Sequence, residues 1–174
     1  MTNELVSTED FKAIMATVCS QVAVVTAMAA NRPHGATVTA FCSLSLHPPM
    51  IVVALNQTSR LLGLINGTGR LGINLLAEGQ QDVADCFASK SDNKFESVRW
   101  RLRGELPAIE GSAGWLGCRV AKQLGGGDHD LLLCDVVDTV RPTVARRPLV
   151  YGSREYGTHS GLSDGRPLLA LAGP

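Results

Sequence analysis

No apolar run in this 174-residue sequence approaches the ~20 residues that a bilayer-spanning helix requires. Neither sign of charge is in excess, with 16 Lys and Arg against 16 Asp and Glu. Nucleic acid and anionic membrane surfaces both select for a positive surplus, so neither is expected as a partner. Arg99, Arg101 and Arg103, or Arg146 and Arg147, make only local basic patches. If residues 100–103 form a strand, Arg101 and Arg103 share one solvated face. The five cysteines (Cys19, Cys42, Cys86, Cys118, Cys134) are odd in number, and none has C-x-x-C spacing. That pattern excludes a zinc knuckle and a disulfide framework, and reads as buried free thiols in a reducing compartment. The opening MTNELVSTED lacks the basic and apolar regions of a secretory signal, so a cytoplasmic protein is expected.

Several catalytic signatures are missing as well. No P-loop, H-E-x-x-H or G-x-S-x-G occurs, which removes the usual marks of phosphoryl transfer and of zinc or serine hydrolysis. Residues 67–72, GTGRLG, match G-x-G-x-x-G, but a predicted helix precedes them and a strand follows. A dinucleotide fold needs the reverse order, so a turn is expected. Asp128, His129 and Asp130 are adjacent without a second converging element, and no metal site is expected.

What is present fits one domain with a substantial core, since 45% of residues are hydrophobic. Ser7 or Thr8 can cap a first helix, with Glu9 and Asp10 in its first turn. Phe11, Ile14, Met15 and Val18 recur at helical spacing. Residues 21–28, QVAVVTAM, read as a strand, with a turn at residues 31–33. Residues 35–49, GATVTAFCSLSLHPP, alternate like a strand but carry few bulky groups, which leaves room for something flat. Residues 50–55, MIVVAL, read as a buried strand. Thr58 or Ser59 can cap a short helix over Leu61, Leu62 and Ile65, ended by residues 67–69, before a strand at 70–76. A further helix is expected over 80–89, with Val83, Ala84, Phe87 and Ala88 on one face. Residues 91–99 are polar and irregular, and turns are expected at 106–107 and 110–111. A long hairpin then joins 113–124 to 131–140 through a loop at 125–130, and residues 148–151 add a last strand. Six or seven antiparallel strands with two or three peripheral helices predict a mainly β fold, an antiparallel split β-barrel that covers its own edges. Residues 1–156 form the domain, and 157–174 a loosely ordered or docking tail.

Two stretches suggest a binding site. Residues 56–60, NQTSR, sit after a strand and open a helix. They read either as an anion site of amides, hydroxyls and a cation, or as a capping box with a solvated Arg. The glycines before His129 are either mobile or let backbone approach a ligand closely. Thr37, Thr39 and Ser43 can equally be edge-strand hydroxyls.

In this order, VAVVTA, GATVTAFCSLSLHPPMIVVAL, TSRLLGLINGTGRLGINLLAEGQQDVADCFAS and GGGDHDLLLCDVV followed by PLVY resemble the flavin reductase family with the FMN-binding split-barrel fold. The likeness spans residues 10–156 and is greatest to the reductase components of two-component flavin-dependent monooxygenases. The resemblance implies FMN or FAD as cofactor, NADH or NADPH as co-substrate, a homodimer, and a monooxygenase that receives the reduced flavin. It implies flavin contacts at Thr37, Val38, Thr39, Ala40 and Ser43. It implies phosphate contacts at Thr58, Ser59 and Arg60, and cofactor-tail contacts at Phe87, Ala88 and Ser89. His129 would position the nicotinamide without acid–base chemistry, and Tyr151, Gly152 and Arg154 would complete the pyridine-nucleotide site. Thr39 and Ala40 stand where the family usually has Asn and Ser, Gln21 where it often has Gly, and Cys42 where Thr or Ser is more usual. Those changes remove side-chain hydrogen bonds but spare backbone contacts. Two alternatives share the barrel: a non-catalytic flavin- or heme-binding protein, and a pyridoxamine-phosphate-type oxidase.

Overall fold

A computed structural model describes residues 5–159. Helix α1 (Thr8–Met15) begins as the sequence predicts, with the Ser7 hydroxyl accepting from the Asp10 amide at 3.0 Å. Its apolar stripe does not reach the core: Phe11, Ile14, Met15 and Val18 are 45–67% exposed. Twelve strands follow among the described residues: β1 (Ser20–Gln21), β2 (Ala23–Ala29), β3 (Arg32–Val38), β4 (Phe41–Leu46), β5 (Pro49–Asn56), β6 (Arg70–Leu75), β7 (Trp100–Arg103), β8 (Leu106–Ile109), β9 (Gly114–Gly126), β10 (His129–Val140), β11 (Leu149–Gly152) and β12 (Glu155–Thr158). Helix α2 (Arg60–Thr68) lies between β5 and β6, and α3 (Gln81–Ala88) follows β6. None of the helices among the described residues is long and apolar enough to cross a membrane.

Seven strands form one antiparallel sheet in the order β3-β2-β6-β9-β10-β5-β4. Its two outermost strands, β3 and β4, are joined only by Thr39 and Ala40. Three Cα–Cα steps of ~3.8 Å span at most about 11 Å. The sheet must therefore curl until its edges meet at that link, and this makes the split barrel. Residues 35–49 are thus not one strand but two strands on opposite lips of the split.

The barrel interior holds Ala23, Val25 and Ala27 of β2 with Val53, Leu55, Ile73 and Leu132, closed by Leu61, Leu62 and Ile65 of α2. The other face of β2 is also covered. Val24, with the preceding Val22, packs under α3 against Ala84 and Phe87. Burial on both faces explains why residues 22–25, VAVV, are continuously apolar. The similar run in β5 is different: Ile51, Val53 and Leu55 are buried while Met50, Val52 and Ala54 are only half-buried. Gly67 and Thr68 close α2, and Gly69 takes the left-handed conformation at φ 67° before β6, so GTGRLG is a helix-to-strand turn as expected.

Three expectations are corrected. Residues 106–107 lie inside β8; the turn is at Gly104 and Glu105, where Gly104 has φ 58°. Pro107 is tolerated because its strand belongs to a two-stranded hairpin, where a missing N–H breaks no central ladder. Buried polar bonds hold that hairpin to the barrel: Thr26 Oγ1 donates to the Pro107 carbonyl at 2.8 Å, and the Ile109 amide donates to Asn74 Oδ1 at 2.6 Å. The loop at 125–130 shrinks to Gly127 and Asp128, with Gly127 at φ 66°, because Gly125 and Gly126 pair with Asp130 and His129 in the ladder. Gly157 and Thr158 belong to β12, while residues 160–174 of the expected tail lie outside the described residues.

Candidate functional site

The site begins where β5 ends. Asn56 Oδ1 accepts from both the Thr58 amide (2.8 Å) and the Thr58 hydroxyl (2.6 Å). This turns the chain into α2 with Ser59 at the N-cap, but the Ser59 hydroxyl makes no capping bond. The expected hydroxyl cap is therefore absent, since Thr58 spends its hydroxyl on Asn56. The first amides of α2 lack partners within the helix and the Ser59 hydroxyl caps none of them, which leaves donors where the helix dipole favours an anion. Of the two readings of NQTSR, this geometry supports the anion site.

A cavity of about 610 Å³ opens on that terminus, and Thr58, Ser59, Arg60, Ala88 and Ser89 all line it. Arg60 Nη1 pairs with Asp92 at 3.0 Å across the mouth, with side chains 66% and 84% exposed. The sequence reading missed His34, Lys90 and Lys94, which line the same cavity. Lys94 Nζ donates to the carbonyls of Phe87 (2.9 Å) and Gly35 (3.3 Å), tying residues 91–99 over β3. Burial lowers the Lys94 pKa. Burial, then the charge of Arg60, lowers that of His34 toward the neutral imidazole. The run SKSDNK reads only as polar, and no local pattern marks Lys94 as anchored.

The remaining predicted flavin contacts separate. Thr37 Oγ1 donates to the Ala84 carbonyl at 2.6 Å, so its hydroxyl fastens β3 to α3. Val38 packs against the barrel core. Thr39 and Ala40 are exposed at the split, and Ser43 is exposed on β4. Phe87 is 1% exposed in the core beneath α3, so its ring does not line the cavity. A Cβ at Gly35 would stand 2.7 Å from the Phe87 ring. Part of the room left by small side chains is therefore occupied by the protein itself.

His129 opens β10 opposite Asn56, and the Gln57 amide donates to the Asp128 carbonyl at 3.0 Å. The β9–β10 turn thus sits on the anion loop. Asp128 Oδ1 lies 2.7 Å from His129 Nδ1, which fixes the ring and lowers the Asp128 pKa through that hydrogen bond. Asp130 accepts from Gln57 (2.9 Å) and Gln123 (2.6 Å), which lowers its pKa and braces the same corner.

Tyr151, Gly152 and Arg154 do not line this cavity. They lie in the β11–β12 hairpin, which pairs with β1 and touches the end of α1 through Ser153 N donating to the Ala16 carbonyl at 2.6 Å. Tyr151 packs edge-on to Tyr156 at 5.1 Å. The Tyr156 hydroxyl donates to Asp85 of α3, and burial followed by that bond pushes its pKa up to about 12. Among the described residues no three His, Cys, Asp or Glu side chains gather as a metal site.

A cationic cavity at a helix N-terminus suits a phosphate-tailed ligand; His129 does not line it, and its turn is tied to the loop before α2 through the Gln57–Asp128 bond. Residues 15–160 match the sequence profile of the flavin reductase like domain. The chain belongs to the flavin reductase family. It is similar to flavin reductase (NADPH) of Lentzea aerocolonigenes, 36% identical over 155 residues that cover 87% of this chain and 89% of that protein. The reductase component of 4-hydroxyphenylacetate 3-monooxygenase from Thermus thermophilus is 34% identical, covering 85% of this chain and 94% of that one. An NADH:FAD oxidoreductase of Streptomyces globisporus, solved with NAD and FAD fragments, superposes with a TM-score of 0.85 at 26% identity, covering 92% and 99% of the two chains. As a flavin reductase, the chain has a donor set that fits flavin: cations and helix N-terminal amides for a phosphate, and backbone at β3.

Proposed function

We propose that this protein is an NAD(P)H:flavin oxidoreductase that passes hydride from NADH or NADPH to FMN or FAD and supplies reduced flavin to a separate monooxygenase. One observation carries the reading most directly. The uncapped α2 N-terminus and Arg60 flank a cavity of about 610 Å³, and the His129 turn is hydrogen-bonded to the same segment. The two cofactors, when bound, supply the hydride chemistry themselves. The chain's own task is to hold and orient. The α2 amides, Ser59 and Arg60 take the phosphate, with Lys90 and Lys94 adding positive charge. Asp128 fixes the His129 ring so that its other nitrogen is free to meet the nicotinamide carboxamide. No side chain has to move a proton in the transfer.

The test is nicotinamide oxidation by purified protein with NADH or NADPH and FMN or FAD. Activity in at least one of the four pairings is expected, and none in any pairing overturns the reading. In the same assay His129→Ala is expected to raise the nucleotide KM by roughly three- to tenfold, the worth of one hydrogen bond. kcat should change less. Unchanged KM and kcat would remove His129 from the site.

We also propose that the protein works as a homodimer. The apolar stripe of α1 and the β4 side chains Leu44 (47%) and Leu46 (78%) are exposed and offer apolar surface to a second copy. Tyr151, Gly152 and Arg154 stay in the proposal as nicotinamide contacts only through such a dimer, because in one chain they flank α1 rather than the cavity. Sedimentation should give twice the chain mass, with Ile14→Glu shifting the protein toward monomer. A monomer in the wild type would refute the assembly.

A further inference from the structure

Gln57, in the loop between β5 and α2, brackets His129. Its main-chain amide donates to the carbonyl of Asp128, the residue before the histidine, at 3.0 Å. Its side-chain amide donates to Oδ1 of Asp130, the residue after, at 2.9 Å. Gln123 of β9 donates to Oδ2 of the same carboxylate at 2.6 Å. Asp130 thus joins the loop, β9 and β10 at one point. Both of its partners are neutral amides, so it fixes geometry rather than neutralising a charge. Successive side chains of a strand point to opposite faces, so Asp130 acts from the far side of β10 and does not share the contacts of His129.

The same loop carries the phosphate seat. Asn56, which pairs with His129 across the ladder, holds the Thr58 amide and hydroxyl through Oδ1. Its carbonyl accepts from the Ser59 amide at 2.9 Å. These bonds make residues 56–59 a single turn, with the bracket on His129 at one end and the anion donors at the other. Gln57, Thr58, Gln123 and Asp128 are all exposed, so water competes for each bond of the corner, and a ligand that orders the loop strengthens it. We propose that Asp130 is a positioning residue that couples the two cofactor sites: a flavin phosphate at the α2 N-terminus orders the loop, and Gln57 with Asp130 passes that order to His129. The inference rests on the phosphate seat and on the nicotinamide contact of His129 proposed above. The first ligand orders the corner, the second then binds more tightly, and linkage makes the effect reciprocal.

The test is flavin binding to the full chain, monitored by fluorescence quenching, with and without saturating NAD+ or NADP+. The oxidised nucleotides pass no hydride to oxidised flavin, so the measurement is at equilibrium. Riboflavin is the control, because it has the ring of FMN and no phosphate. Stacking of the nicotinamide on the ring tightens both flavins alike, whereas coupling through the loop tightens FMN alone. In the wild type the nucleotide is expected to lower the FMN Kd about fivefold more than the riboflavin Kd. Asp130→Ala should bring the two factors together, which loss of a merely structural brace would not do. Asp130→Asn should restore part of the difference, since its amide accepts from one glutamine and donates to the other once that one is turned. Gln57→Ala should behave as Asp130→Ala does, and keeps the test decisive if the aspartate variant fails to fold. Equal factors in the wild type, or a difference that survives in either alanine variant, overturns the coupling and leaves the reductase reading intact. Equal FMN and riboflavin Kd without nucleotide removes the phosphate from α2, and the coupling with it. Failure to bind either flavin overturns the reductase reading as well.

Discussion

Arg60→Ala is expected to raise the Kd for FMN and FAD alike by roughly 10- to 100-fold. Arg60 is the cation at the α2 N-terminus, and a charge-assisted bond to a phosphate contributes about 1.5–3 kcal/mol, or roughly a factor of 10 to 150 in affinity. In the structure the guanidinium is paired with Asp92, at 3.0 Å. Both partners are largely exposed, and such pairs contribute less than about 1 kcal/mol. A flavin phosphate that also receives the α2 amides should therefore displace the Asp92 carboxylate. Because the Arg60 side chain is 66% exposed, its loss should barely move the unfolding midpoint. Arg60→Lys should restore part of the affinity, since it returns the charge but not the planar fork. Fluorescence titration measures all of this. An unchanged Kd in Arg60→Ala would move the phosphate elsewhere and remove the main support for the reductase site.

Phe87→Ala carries the second large effect, and it falls on stability. The ring is 1% exposed and touches Phe95 edge-on at 4.8 Å. Truncating a buried Phe costs about 3–5 kcal/mol through lost burial and the cavity left behind. Urea denaturation should show that loss, with flavin Kd in the folded fraction changed only a few-fold. The opposite result, near-normal stability with lost flavin binding, would return Phe87 to the cofactor contacts. Gly35 supplies an internal check. An added Cβ would sit 2.7 Å from the Phe87 ring and 3.2 Å from the Val25 carbonyl. Gly35→Ala should destabilise the wild type, and by less when combined with Phe87→Ala, where the ring is gone. Two contacting positions couple in this way; independent ones add.

The order of the elements could be read along the chain, because capping, period and turn chemistry act within a few residues. Ser7 before Glu9 and Asp10 marked α1, Ser59 marked α2, and the left-handed Gly69 marked the passage into β6. Other features depended on distant partners. The β7–β8 hairpin was missed because Pro107 looks like a turn until Thr26 is seen to donate to its carbonyl from 81 residues away. Nothing local in the sequence says that the Thr37 hydroxyl reaches Ala84 of α3, or that Lys94 reaches the Gly35 carbonyl. The exposed stripe of α1 shows the converse limit. Helical spacing of apolar residues announces a face to be covered, but not whether the chain or a second copy covers it.

By itself the sequence determined a mainly β chain, a strand-to-helix loop at residues 56–60 that could be read two ways, and a turn rather than a dinucleotide motif at residues 67–72. Each of these is set by neighbours along the backbone. Only the tertiary structure decided why residue 35 must be a glycine, and that Gly35 and Ala36 line the cavity while Thr37 and Val38 do not. Those answers depend on α3 and on residues 91–100 folding back over β3, and contacts across 40 or more residues exist only once the sheet has curled.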